Sequence, residues 1–398
     1  MRKIMMIWII GCMVMKPALG QKADVALSFD FYGETINIST PPLTQVSFQK
    51  PISASTITHF YEAMENAGLN DVTTVLLQYR KKQQPDDWMF YQLIRSTAEN
   101  LSPKADDYER YTLYKWYFLL QTGYDALLAI TPQKMLLYVQ SPEEVFEIPF
   151  RKRDEKQYVC LNYHDYSPLD FSREHFSEVR LGISATPRSF TYKITKLPQF
   201  QLQQYTVKEI QFDYYQKDYH FKVLVNEQVQ KLFANYPVVD YRYYFEMPLS
   251  PITYGSLIPL LKDQIKKMNT KKGVDYLMRF TRYAFPYASD TKIHGREKRL
   301  TPEQTLLYEY SDCEDRAAFF FYLVKEIYNL PMIVLQYPDH ITVAVQFDNQ
   351  VGNAIVYKGQ SYTICEATPQ RHDLRMGQAP QHLRKTAYEV VYEYQPSR

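Results

Sequence analysis

The stretch Ser311-Asp312-Cys313-Glu314-Asp315-Arg316-Ala317 opens a helical pattern and sets a thiol at its first turn. Cys313, Ala317, Phe320, Val324 and Ile327 share one face, which predicts a helix with the sulfur on its inward side. Asp312 is well suited to cap that helix. Unpaired N–H groups at a helix start carry partial positive charge and favour thiolate. Given a cationic partner, a cysteine there is expected to titrate below its free value of about 8.5, towards about 3.5–7.5. His340 is the natural partner. From His340 to Phe347 the run alternates, with Ile341, Val343, Val345 and Phe347 on the core face and His340 on the other. A lone histidine at a strand end is ordinarily a surface residue. Its standing rises because a cysteine at a helix start precedes it and a carboxylate, Glu366, follows.

Glu366 lies in Ser361-Tyr362-Thr363-Ile364-Cys365-Glu366-Ala367-Thr368-Pro369, where Ile364 and Glu366 share one strand face. Cys365 takes the opposite face and reads as a core thiol. Cysteine acyl transfer needs a sulfur nucleophile, an imidazole to take and return a proton, and a third group that fixes the imidazole's tautomer. Cys313, His340 and Glu366 supply those three residue types.

Further out, the chain contains its own pattern twice. Phe29-Asp30-Phe31-Tyr32 recurs as Phe212-Asp213-Tyr214-Tyr215, and Phe48-Gln49-Lys50-Pro51-Ile52-Ser53 as Phe245-Glu246-Met247-Pro248-Leu249-Ser250. Pro132 through Gln140 parallels Pro338 through Gln346. Three matches in one order suggest a duplication. Each copy predicts strands, then helices, then strands. Val25, Leu27, Phe29 and Phe31 alternate before Gly33, and Ile57, Phe60, Tyr61 and Met64 show helical spacing that stops at Gly68. In the second copy Leu257, Leu260, Leu261 and Ile265 mark one helix, and Val274, Leu277 and Tyr283 another after Gly273. The alignment sets Tyr108 against Cys313, Lys134 against His340 and Asn162 against Glu366, so the first copy lacks the thiol chemistry. Expected boundaries are 1–20 for an export signal, 21–169 for the degenerate copy, 170–206 for a connecting segment with some strand, and 207–398 for the catalytic copy. Ser289 to Thr301 reads as a solvated basic loop.

Composition narrows the function. With 398 residues the chain holds two or three domains at about 150 residues each. Lys+Arg 46 against Asp+Glu 44 leaves a net charge of +2, a poor match to nucleic-acid or anionic-membrane binding. Hydrophobic residues at 45% exclude a disordered chain, and 12 Gly do not suit a Gly-rich phosphate-loop enzyme. Met1–Gly20 has Arg2 and Lys3, an apolar run from Ile4 to Met15, and Ala18-Leu19-Gly20 for cleavage, which predicts export to the periplasm or cell surface. A second reading takes Ile9-Ile10-Gly11-Cys12 as a lipoprotein box with Cys12 as a lipid anchor. No later stretch predicts a transmembrane helix. Without Cys12, Cys160, Cys313 and Cys365 remain, an odd number that leaves at least one thiol free. No metal-ligand spacing occurs, and no cofactor is expected.

Asp-Cys-Glu-Asp-Arg-Ala at 312–317, Leu330-Pro331, Tyr337-Pro338-Asp339-His340 and Glu366-Ala367-Thr368-Pro369 together resemble the transglutaminase-like superfamily. The resemblance spans roughly Val274 to Gln370. It implies an α+β, papain-like fold for the C-terminal part, preceded by a degenerate copy of a similar unit. It further implies Cys313 as nucleophile, His340 as general base, Glu366 at the position of the family's Asp, and a protein or peptide substrate. Ser311 replaces a common Gly, and Glu366 is one methylene longer than Asp. Two functions follow as expectations: an exported cysteine peptidase or acyltransferase, or an inactive two-repeat binding or structural module of the cell envelope.

Overall fold

Alternating Leu27, Phe29 and Phe31 form strand β1 (Val25–Phe31), which turns at Tyr32 and Gly33 into β2 (Glu34–Thr40). The turn needs left-handed backbone, and Gly33 adopts φ +94° there. The computed structural model describes residues 25–40, 46–166, 169–171, 173–181, 186–289, 292 and 298–396. The expected signal at Met1–Gly20 and the anchor at Cys12 lie outside them.

Helices α1 (Ala54–Asn66), α2 (Asn70–Gln83), α3 (Asp87–Leu101) and α4 (Tyr108–Gln121) follow the first hairpin. Ser53 caps α1 through a capping box with Thr56, and the helix buries Ile57, Phe60 and Met64 at the expected spacing. Then come β3 (Ala126–Ile130), β4 (Met135–Gln140), β5 (Val145–Phe146), β6 (Phe150–Arg153), β7 (Lys156–Cys160) and β8 (Ser177–Val179).

The second half repeats the layout. A hairpin of β9 (Tyr205–Tyr214) and β10 (Lys217–Asn226) leads to α5 (Gln228–Leu232), β11 (Val238–Val239) and α6 (Tyr241–Phe245). Next are α7 (Pro251–Ile265), α8 (Thr270–Tyr283), α9 (Pro302–Leu307) and α10 (Cys313–Tyr328). The chain closes with β12 (Met332–Tyr337), β13 (His340–Gln346), β14 (Ala354–Tyr357), β15 (Gln360–Cys365) and β16 (Glu389–Tyr394). The fold is α+β.

Two five-stranded antiparallel sheets have matching order, β6-β7-β4-β3-β8 and β14-β15-β13-β12-β16. Register matches as well: Ala126 pairs with Val139 in one sheet, and Met332 with Val345 in the other. In each sheet one face meets the main core, and the other carries a smaller cluster around Leu127 and Tyr138 or Ile333 and Tyr362. The main core is continuous through both halves, from Phe31 to Ala367.

Three details differ from the periodicity. Gly273 lies inside α8, which starts at Thr270 behind an Asn269 cap, because the Tyr328 hydroxyl sits where a Cβ would be, 1.6 Å away. Residues Asp315 to Val324 of α10 are buried on every side, so this helix is central to the core instead of covering one face. The stretch 170–206 supplies β8 to the first sheet, while Phe190, Tyr192 and Ile194 are buried without joining a strand. Among the described residues, no helix is long and apolar enough to cross a membrane.

Candidate active site

Asp312 caps α10 by accepting from the backbone N–H of Glu314 (2.9 Å) and Asp315 (3.2 Å), and Asp315 returns a bond to the Asp312 N–H. Cys313 therefore begins the helix. Its side chain is partly exposed, whereas Cys160 and Cys365 are buried, and all three are free thiols.

His340 begins β13. Its Nε2 lies 2.8 Å from Oε2 of Glu366, with the imidazole 8% and the carboxylate 1% exposed. Glu366 follows β15 on the Ile364 side, opposite Cys365, whose sulfur is in the core. The other oxygen, Oε1, accepts the Thr368 N–H at 2.8 Å. Both carboxylate oxygens are thus occupied, and Nδ1 of the imidazole is the nitrogen left for another partner.

Two buried arginines join these elements, and sequence reasoning missed both. Arg316, in the second turn of α10, donates to the carbonyls of Thr281 (3.0 Å), Arg282 (2.9 Å) and Phe285 (2.6 Å) at the end of α8. Those carbonyls lack partners within their own helix, and a cation suits that end. Burial lowers the Arg316 guanidinium to about 10, against the pull of Asp315. Arg282, in turn, grips the main-chain carbonyl of Glu366 through Nε (3.1 Å) and a second nitrogen, and reaches Asp373 at 2.7 Å. The cysteine helix is connected in this way to the carboxylate that holds His340. The available signal was arginine set against apolar helical sequence, Arg282 within Leu277 to Phe285 and Arg316 immediately before Ala317 to Phe321.

Electrostatics depart from the expectation at the sulfur. Burial, then the Asp312 and Glu314 carboxylates, push the Cys313 thiol well above its ordinary range, opposed by the Ile341 backbone N–H. The helix start does not lower it, because burial and then the acidic neighbours raise it. His340 moves upward from 6.5: burial lowers it, but the bond to Glu366, that carboxylate's charge and those of Asp339 and Asp312 together raise it more. Sulfur and imidazole are not hydrogen-bonded to each other among the described residues. The Ile341 N–H beside the sulfur nevertheless brings it to the strand start that carries His340.

Glu314 is held by Tyr241 (3.0 Å) and by Arg299 Nε (2.9 Å), and Arg299 also donates to the Val239 carbonyl. Arg299 comes from the stretch expected to be a solvated loop; its side chain is only 15% exposed. Most of that stretch lies outside the described residues.

The corresponding positions of the first half hold different chemistry. Tyr108 starts α4 behind an Asp107 cap, as Cys313 starts α10. The Asn162 amide donates to the Tyr108 hydroxyl (2.8 Å) and the Met135 carbonyl (2.9 Å), and its oxygen accepts the Leu137 N–H (2.7 Å). Lys134 turns away to Glu174 at 2.6 Å. Among the described residues no three His, Cys, Asp or Glu side chains gather as metal ligands. Comparison of the chain with protein-family models, curated proteins and solved structures returns no match.

Proposed function

We propose that the protein is a cysteine-dependent acyl-transfer enzyme of the transglutaminase-like kind, exported, acting on a protein or peptide. The observation that carries this reading is the 2.8 Å contact between His340 and a fully engaged Glu366, beside the helix start that bears Cys313. In the proposed cycle Nδ1 of His340 takes the Cys313 proton as the sulfur attacks an amide carbonyl. The Cys313 backbone N–H faces the developing oxyanion at the helix start. Collapse breaks the C–N bond, and the imidazolium returns the proton to the leaving amine. Water or an acceptor amine then attacks the thioester, gives up its proton through His340, and frees the sulfur. The first half, with Tyr108, Lys134 and Asn162 at the corresponding places, acts in this reading as a non-catalytic partner.

The raised thiol favours a second reading, in which the pair is a relic and the chain is a binding module of the cell envelope. Alkylation at pH 7 followed by mass spectrometry separates them. The enzyme reading expects Cys313 to react faster than a free peptide thiol and to lose that advantage in His340→Ala. A rate no greater than the peptide's, unaffected by His340→Ala, favours the binding module.

A further inference from the structure

The start of α8, the β9–β10 turn and two crossing loops border an open pocket of about 660 Å3. Lys267, Lys271, Lys272 and Arg375 line it. Neighbouring Lys266 is paired with Asp263 at 2.6 Å, whereas none of the four cavity cations has an ion-pair partner among the described residues. The lining acid, Asp275, is already engaged by Arg279 at 3.4 Å and by the Tyr214 hydroxyl. Positive charge at this place is therefore uncompensated in a chain whose net charge is only +2. Helix stability does not account for it, since Lys271 and Lys272 sit in the first turn, where cations oppose the helix dipole.

The walls are built in advance. Gly352 and Gly377 cross back to back with φ +61° and +80°, and a Cβ on Gly377 would fall 2.7 Å from the Val351 carbonyl. The Gly377 N–H is bonded to the Ile364 carbonyl at 2.8 Å, which holds the loop bearing Arg375 against β15. Opposite, the Tyr215 ring lies under the Arg279 guanidinium at 4.1 Å.

We propose that this cavity binds a small oligoanion carrying at least two phosphate or carboxylate groups, with Lys267, Lys271, Lys272 and Arg375 as its ligands. The volume fits one small molecule, and a guanidinium fork beside three ammonium groups suits tetrahedral or planar anionic oxygens. The site is separate from Cys313: Lys271 and Lys272 begin α8, and Arg282 lies about 15 Å further along it.

Calorimetric titration of the full chain with inorganic pyrophosphate and with citrate tests this at low salt and again at about 0.15 M. At least one probe is expected to bind, more weakly at the higher salt; pyrophosphate alone marks a phosphate ligand, citrate alone a carboxylate one. Lys271→Glu/Lys272→Glu is expected to weaken binding at least about tenfold, and Arg375→Gln less. Lys152→Glu/Lys231→Glu, with the same charge change outside the cavity, leaves it within about twofold. Absence of heat with either probe up to about 10 mM overturns the proposal. So does binding that survives the cavity pair or falls equally in the control pair.

Discussion

Burial lowers the His340 imidazole, and Glu366, with smaller help from Asp339 and Asp312, raises it above its ordinary value. A base must be neutral to accept a proton, so the acid limb of kcat/KM should lie above 6.5, the ordinary histidine value. Glu366→Gln leaves burial without its counterweight. The limb should move to lower pH, and kcat should fall by about 10²–10⁴-fold. NMR titration of the imidazole checks the first effect and steady-state kinetics the second. Stability has the same sign: the raised His340 contributes fully below its unfolded value and loses that contribution as pH rises through the folded one. The variant should lack this alkaline loss in urea unfolding followed across pH. At Cys313 burial raises the thiol most, and the carboxylates of Asp312 and Glu314 add to it. Asp312→Asn keeps a capping oxygen while removing a charge, so alkylation at pH 7 should quicken by about two- to tenfold. Unfolding free energy should drop by about 0.3–1 kcal/mol, the share owed to the lost carboxylate at the helix start.

At the scale of elements, the site depends on how α10, α8 and β15 are joined. Arg316 satisfies three carbonyls at the end of α8, and Arg282 of α8 fixes the carbonyl of Glu366. Arg316→Leu preserves much of the side-chain volume but strips those carbonyls of their donors. It should destabilise the protein by about 3–5 kcal/mol, seen as a lower urea midpoint with an unchanged slope. The Cys313 helix and its hydrophobic contents were legible because a capping Asp and an apolar spacing are local signals. Arg316 and Arg282 were not, since a buried charge is explained only by carbonyls that distant parts of the chain supply.

The whole molecule ties its halves through shared elements. β5 of the first half pairs with β11 of the second, and the Val239 carbonyl of β11 receives Arg299, which grips Glu314 beside Cys313. Trp88 donates to the Leu232 carbonyl at 2.9 Å, and Tyr236 reaches the Tyr192 carbonyl. With one core running through both halves, the chain should unfold in a single calorimetric transition. Residues 207–398 alone should fail to melt cooperatively, because the apolar side chains facing the first half would be exposed to water.

Hairpins, capped helices and the alternation of β13 are short-range properties, and residue order alone determined them. The alignment of Cys313 with Tyr108 was legible in the same way, since each opens a helix behind an Asp cap. The titration of the thiol was decided only in three dimensions. A helix start predicts an acidified sulfur, but burial and the carboxylates of Asp312 and Glu314 reverse the sign. Arg299, Arg316 and Arg282 likewise gained their roles from folding. Long-range electrostatics depend on which groups lose water together, and no window of sequence contains that information.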